Sequence, residues 1–199
     1  MAIELWAARL ERPLTQRETA AMLSLLPPER AVRLEKLRDT EKAREPLCAW
    51  LLLCLALREQ YGWKRLPAIT YGGQGKPFFP DYPEVHFNLS HTTGAVLVGL
   101  SDQPVGVDIE KLRPVSQRAM RRIADVSTEE EFFRCWVRRE ARTKRSGTGV
   151  GTMVRSETPL QYGEFYYELE TFPGYVAGVA TRSRCVPGQV RLYSLDEML

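Results

Sequence analysis

Histidine is scarce in this chain: its 199 residues include two. A zinc centre built on imidazole and thiolate ligands is therefore disfavoured. The four cysteines, Cys48, Cys54, Cys135 and Cys185, stand at no metal-ligand or disulfide spacing. Cys48 and Cys54 sit inside an apolar run and read as buried thiols. There is no block of like charge. The net charge of +3 weakly favours anionic partners and does not demand nucleic acid. The basic residues also lack the interleaved aromatics of a strand-binding surface, so no nucleic-acid partner is expected. The most apolar stretch, Leu47 to Leu57, is too short to span a bilayer, and no membrane partner is expected. The opening Met1–Ala2–Ile3–Glu4–Leu5 carries an early acid and no basic-then-apolar signal, which points to a cytoplasmic, reduced protein. Gly72–Gly73–Gln74–Gly75–Lys76 lacks Walker spacing, which excludes a P-loop. Nothing like G-x-S-x-G surrounds Ser90, so a hydrolase nucleophile there is not expected.

What is present alternates helices and strands. Ile3 to Leu10 reads as a strand. Thr15 and Glu18 form a T-x-x-E capping box for a helix running to about Leu25. Pro27–Pro28 ends it, and Pro28 suits the first turn of a basic helix from Glu29 to Arg44. Leu47 to Tyr61 is apolar nearly all round, as a central core helix is; Pro46 either starts this helix afresh or kinks a longer one. Val85 to Leu89 reads as a strand broken by Ser90–His91–Thr92–Thr93–Gly94. Ala95 to Leu100 and Val105 to Lys111 are expected to form a hairpin turned by Ser101–Asp102–Gln103–Pro104. A basic helix around Gln117 to Ala124 follows. The next helix starts at Thr128, with acids in its first turn, and ends at a flexible loop from Ser146 to Gly151. Gly163 to Thr171, Gly174 to Thr181 and Gln189 to Leu195 look like an antiparallel set of strands.

The chemistry gathers around Val105–Gly106–Val107–Asp108–Ile109–Glu110–Lys111. In a strand, Asp108 and Glu110 share one face. Two adjacent carboxylates repel unless a cation lies between them. They are either ordinary surface acids or oxygen ligands for a hard divalent ion, Mg2+ or Mn2+. On the helix after Thr128, Trp136, Glu140 and Lys144 stand four apart and share one stripe. Glu140 and Lys144 make either a surface ion pair or a third ligand with a cation beside it for phosphate charge. Lys76 after its glycines, and Ser90–His91 at a strand end, are each either plain turn chemistry or phosphate contacts. Arg30, Arg33, Lys36, Arg38, Lys42 and Arg44 make either a solvated helix face or an anion site.

Three stretches stand in order: "GKPFFPDYPEVHFNLSHTTG", "VGVDIEKLRP" and "WVRREARTKRSGTGVG". As an ordered set they closely resemble the 4'-phosphopantetheinyl transferases, specifically the monomeric surfactin-type branch. The likeness extends loosely along the whole chain. It implies an α+β fold of two similar α/β halves, residues 1–101 and 102–199, with the active site at their interface. It also implies a monomeric, Mg2+-dependent transferase that moves the 4'-phosphopantetheine arm of coenzyme A onto a serine of an acyl or peptidyl carrier protein, releasing adenosine 3',5'-bisphosphate. Under the resemblance, Asp108, Glu110 and Glu140 match the metal-binding acids and Lys144 the phosphate-contacting lysine. Lys76, Ser90 and His91 match positions that contact coenzyme A. Arg44 matches an arginine at its 3'-phosphate, and Arg30 and Arg33 are similar to basic positions nearby. Glu140 is the first choice of base for the carrier serine, Glu110 the second.

The chain departs from the family pattern at Arg139, where a lysine is usual, at Pro46, and in a shortened span from Glu110 to Trp136 that in the family helps hold the carrier. Two rival readings follow. One is a catalytically impaired homologue that still binds coenzyme A or a nucleotide. The other is a metal-dependent phosphodiesterase needing no carrier.

Overall fold

The structure is a computed structural model that describes residues 3–35, 43–148 and 158–199. It is a mixed α+β protein. In chain order the elements are β1 (Glu4–Arg9), α1 (Gln16–Ser24), α2 (Pro28–Glu35), α3 (Arg44–Tyr61), β2 (Thr70–Tyr71), β3 (Pro77–Phe78), β4 (His86–Thr92), β5 (Ala95–Ser101), β6 (Val105–Lys111), α4 (Gln117–Ile123), α5 (Glu129–Ser146), β7 (Phe165–Leu169), β8 (Tyr175–Thr181), β9 (Arg191–Ser194) and α6 (Leu195–Met198).

Two sheets carry the architecture. The first has the order β4-β5-β1-β9 and the second β6-β8-β7, while β2 and β3 form a small ribbon. The alternation of β1 and β5 explains the layering. Trp6, Ala8, Val96 and Val98 face α3 in one core. Leu5, Ala7, Ala95 and Leu97 face Val107, Ile109 and Val179 of the second sheet in another. Both faces of the first sheet are thus covered, which is why its strands read as continuous apolar runs. Each buried Leu or Val contributes roughly 1.5–3 kcal/mol. α5 covers the far face of the second sheet, and Gly106 makes that possible. A Cβ there would stand 2.1 Å from the Ala141 carbonyl oxygen and 2.2 Å from the Arg145 amide nitrogen.

Several local expectations hold. Thr15 and Glu18 close a reciprocal capping box on α1, as do Thr128 and Glu131 on α5. Among the described residues α3 begins at Arg44, so Pro46 stands at its start. It lies in the first turn, where backbone N–H groups have no intrahelical acceptor to lose. Lys36, Arg38 and Lys42 of the basic segment, and Gly149 to Gly151 of the loop after α5, lie outside the described residues.

Three expectations are corrected. β4 does not break at Ser90. It continues to Thr92, every residue from His86 paired with β5, and the chain turns at Thr93–Gly94 with Gly94 at φ 76°. Long-range pairing overrides the turn character of Ser, His and Thr. β5 and β6 do not form a hairpin. β6 leaves the first sheet and pairs antiparallel with β8, placing Asp108 opposite Gly178. Nor do the last three strands form one antiparallel set. β7 and β8 pair antiparallel, whereas β9 returns to the first sheet and runs parallel to β1. Among the described residues, no helix is long and apolar enough to cross a membrane.

Candidate active site

β6 brings Asp108 and Glu110 to the edge of the second sheet, and β4 brings Ser90, His91 and Thr92 to the edge of the first. α5 lies across β6 at Gly106 and presents Trp136, Glu140 and Lys144. Together Leu89, Ser90, His91, Asp108, Glu110, Trp136, Glu140 and Lys144 line one open cavity of about 360 Å3. The stripe expected on α5 and the face expected on β6 therefore meet in one place, and Asp108 lies close to Ser90 because β4 and β6 stand side by side, not through the expected hairpin.

The contacts are specific. The Lys144 Nζ donates to Asp108 Oδ1 at 2.7 Å and to Ser90 Oγ at 2.9 Å. The Ser90 hydroxyl donates to the same Asp108 oxygen at 2.8 Å and accepts the Ile109 N–H at 3.3 Å. Ser90 is buried, and its hydroxyl is engaged by these protein groups. Thr92 Oγ1 donates to Glu110 Oε2 at 3.1 Å, and Arg113 Nη1 donates to the same oxygen at 2.7 Å. The Arg113 guanidinium also lies over the Phe133 ring at 4.6 Å, so it joins the base of the Glu110 strand to α5.

Burial pushes the Asp108 carboxyl above the usual range, and Lys144 and Ser90 pull it back. Glu140 is half-buried and also raised, by desolvation and then by the Asp108 charge, with Lys144 opposing. The His91 imidazole is crowded by protein and close to the positive charges of Lys144 and Arg30. These hold its pKa below 6.5 and keep it neutral at pH 7.

The fit of the site to a divalent cation can be judged from the acids themselves. Asp108 Oδ2 is buried and has no hydrogen-bond partner. Two raised carboxyls face the same cavity. These are hard oxygen donors whose charge Lys144 only partly offsets, the donor chemistry that Mg2+ takes. Among the described residues, no three acidic, histidine or cysteine side chains are gathered tightly enough to enclose an ion as they stand. The nearest cation to Asp108 is Lys144 itself.

The remaining sequence candidates are placed differently. Arg44 opens α3, donates to Glu45 Oε1 at 2.7 Å and to the Arg12 carbonyl at 3.3 Å, and Glu45 in turn accepts the Gly94 N–H at 3.2 Å. This holds Arg44 near the β4–β5 turn, on the His91 side. Arg30 stacks over Trp50 at 4.6 Å. The Arg33 side chain lies outside the described residues. Lys76 is not part of the cavity wall. Its ammonium donates to the Val105 carbonyl at 2.9 Å and the Arg145 carbonyl at 3.0 Å, tying the start of β6 to the last turn of α5. Burial and Arg145 push its pKa down to about 8, whereas the two carbonyls favour the charged form.

Thr92 and Arg113 were not singled out by sequence reasoning. For Thr92 a signal existed: Asn88, Ser90 and Thr92 alternate with the same period as Asp108 and Glu110. Arg113 is betrayed by no local pattern.

No family model matches the chain. The chain is 26% identical over 225 residues to the 4'-phosphopantetheinyl transferase Sfp of Bacillus subtilis (strain 168), covering 99% of this chain and 100% of that protein. It is 25% identical over 228 residues to the 4'-phosphopantetheinyl transferase psf-1 of Bacillus pumilus, covering 99% and 97%. A shorter match of 37% over 104 residues, 45% of this chain and 53% of the other, is to the 4'-phosphopantetheinyl transferase AcpT of Escherichia coli (strain K12). Along nearly its whole length the chain is similar to 4'-phosphopantetheinyl transferases. It is a transferase of this type. Within the transferase, Asp108, Glu110, Glu140 and Lys144 are the charged groups on the cavity wall.

Proposed function

We propose that this transferase moves the 4'-phosphopantetheine moiety of coenzyme A onto a serine of an acyl or peptidyl carrier protein and releases adenosine 3',5'-bisphosphate, with Mg2+ as cofactor. The observation that carries the reading is the meeting of three acids and one lysine, from β6 and α5, on a single open cavity whose other wall is the Ser90–His91 edge of β4. Asp108, Glu110 and Glu140 are the residues to hold Mg2+. A bound Mg2+ would supply positive charge to offset the negative charge of the pyrophosphate.

The chain's own residues do the rest. Glu140 accepts the proton of the incoming serine hydroxyl; its raised carboxyl is more basic than an ordinary glutamate, which suits that role. Glu110 is the alternative base, already held by Thr92 and Arg113. Lys144 stabilises the charge that grows on the departing phosphate, turning from Asp108 to do so. Arg30 and Arg44 offer the basic wall for the nucleotide end of coenzyme A, with the neutral His91 imidazole beside them as a hydrogen-bonding group. The two halves, residues 1–101 and 102–199, supply the two walls. The protein works as a cytoplasmic monomer in the manner of the surfactin-type branch.

The test is direct. The protein is incubated with coenzyme A, Mg2+ and a panel of apo-carriers, and each carrier is weighed by mass spectrometry. A mass gain of one phosphopantetheine on carrier serine supports the reading. Tight coenzyme A binding with no mass gain on any carrier identifies the impaired homologue. Release of nucleotide with no carrier present identifies the phosphodiesterase.

A further inference from the structure

β4 and β6 are edge strands of different sheets, and side chains join them where a backbone ladder would normally run. Asn88 Oδ1 accepts the Val107 N–H at 2.8 Å, Ser90 Oγ that of Ile109 at 3.3 Å, and Thr92 Oγ1 that of Lys111 at 3.4 Å. Each pair lies 19 positions apart, so the strands run in the same direction at a fixed register. Two of the three bridging side chains, the hydroxyls of Ser90 and Thr92, also hold an acid, Ser90 on Asp108 and Thr92 on Glu110, each pair 18 positions apart. The third place in that second series is Gly106, where the α5 backbone leaves no room for a side chain.

The residue types follow from this arithmetic. A hydroxyl accepts and donates at once, as Ser90 and Thr92 must. Opposite Gly106 there is no acid to donate to, and the amide oxygen of Asn88 needs only to accept. Asn88 is buried and absent from the cavity wall, so it meets no substrate. Its hydrogen bond holds the Val107 amide, immediately before Asp108. Pairing with β8 sets which face of β6 carries Asp108 and Glu110, and the side-chain bonds from β4 set how that face stands against the Ser90 edge.

We propose that Asn88 is a positioning residue: by pinning the Val107 amide it sets the register of β6 against β4, and so places the Asp108 and Glu110 carboxylates for a divalent cation. This rests on the functional reading above. Ser90 and Thr92 continue the same device into the cavity, where each ties a β6 amide and a carboxylate together.

Asn88→Leu removes the acceptor and keeps the number of side-chain heavy atoms. Asn88→Ser restores a hydroxyl like the one that reaches Ile109 two residues further on. Mg2+ affinity in the presence of coenzyme A is measured by titration calorimetry, with carrier modification followed in parallel and folding checked by thermal unfolding. Loss of a group that orients metal ligands typically weakens metal binding by about 10–100-fold, and Asn88→Leu is expected in that range. Asn88→Ser is expected to recover most of the loss. If Asn88→Leu does not fold, Asn88→Ala carries the same expectation. Wild-type Mg2+ affinity in the folded Leu or Ala variant overturns the inference, as does a Ser variant no better than Leu. Wild-type protein that takes up no Mg2+ with coenzyme A overturns the functional reading itself, and the inference with it.

Discussion

Lys144 has two employments that exclude each other. In the structure its ammonium is shared between Asp108 and Ser90. In the proposed reaction it faces phosphate. Lys144→Met should lower turnover by about 10²–10³-fold, the usual cost of losing one charge-stabilising donor, with a smaller change in coenzyme A affinity. Steady-state kinetics with carrier in excess separates the two; a change confined to affinity would remove Lys144 from the chemistry. Asp108→Asn makes the complementary test. The amide keeps the shape and still accepts from Ser90, but it removes the charge. Carrier modification should fall by more than the roughly 100-fold typical of losing an orienting group. Stability should stay level or rise, because a desolvated charge is removed along with its ion pair. A melting temperature that collapsed together with activity would show that Asp108 serves the fold. These side chains were legible before the structure because their chemistry is written in short spacings: D-x-E on a strand, and Trp136, Glu140 and Lys144 along one stripe of a helix.

At the scale of elements, the site depends on how closely α5 lies on β6, and Gly106 sets that distance. A Cβ at Gly106 would run into helix backbone, Ala141 O and Arg145 N, which cannot swing aside as a side chain tip can. Gly106→Ala should therefore lift the last turns of α5, which carry Glu140 and Lys144. The expected cost is about 1–3 kcal/mol, equivalent to a melting-temperature drop of roughly 2–4 °C per kcal/mol for a chain of this size. Transfer should fall further than stability alone accounts for, since the variant remains mostly folded. Calorimetry and carrier labelling at one temperature check both parts; full activity would mean the helix can retreat without moving its acids. The pressure on Gly106 is not visible in sequence, where it reads as one more strand residue. The end of β4 was equally hidden. Ser-His-Thr-Thr-Gly has the composition of a turn, but β5 supplies partners as far as Thr92. Capping boxes and helix ends were readable because their interactions close within a few residues. Strand boundaries and sheet membership were not, because they are set by partners far along the chain.

The whole molecule adds a connection with no local signature. Glu164, just ahead of β7, is buried between two arginines of α5. Arg142 donates to its two oxygens at 3.0 and 2.9 Å, Arg145 reaches it at 3.3 Å, and the Gln161 N–H adds a further bond at 3.0 Å. Arg142 also donates to the Thr158 and Pro159 carbonyls, so the chain that returns to the second sheet is fastened to the helix bearing Glu140 and Lys144. Burial raises the Glu164 carboxyl, but the Arg142 hydrogen bonds, the Gln161 amide and the arginine charges outweigh it, and the net shift is downward from 4.5. A depressed carboxyl binds fewer protons folded than unfolded. Its stabilisation is therefore complete above about pH 4.5 and is lost as the pH falls through the lower folded value. Glu164→Gln removes one partner of a buried cluster and leaves the arginine charges uncompensated, so it should cost about 3–5 kcal/mol at pH 7. The cost should shrink as the pH is lowered from 4.5, because protonation deprives the wild type of the same charge. Urea unfolding of both proteins at pH 7, 5 and 3.5 measures the gap. A gap that stays constant with pH would mean that the glutamate contributes shape and hydrogen bonds but not charge, and that the joint between α5 and the returning chain is held by the carbonyl contacts of Arg142 alone.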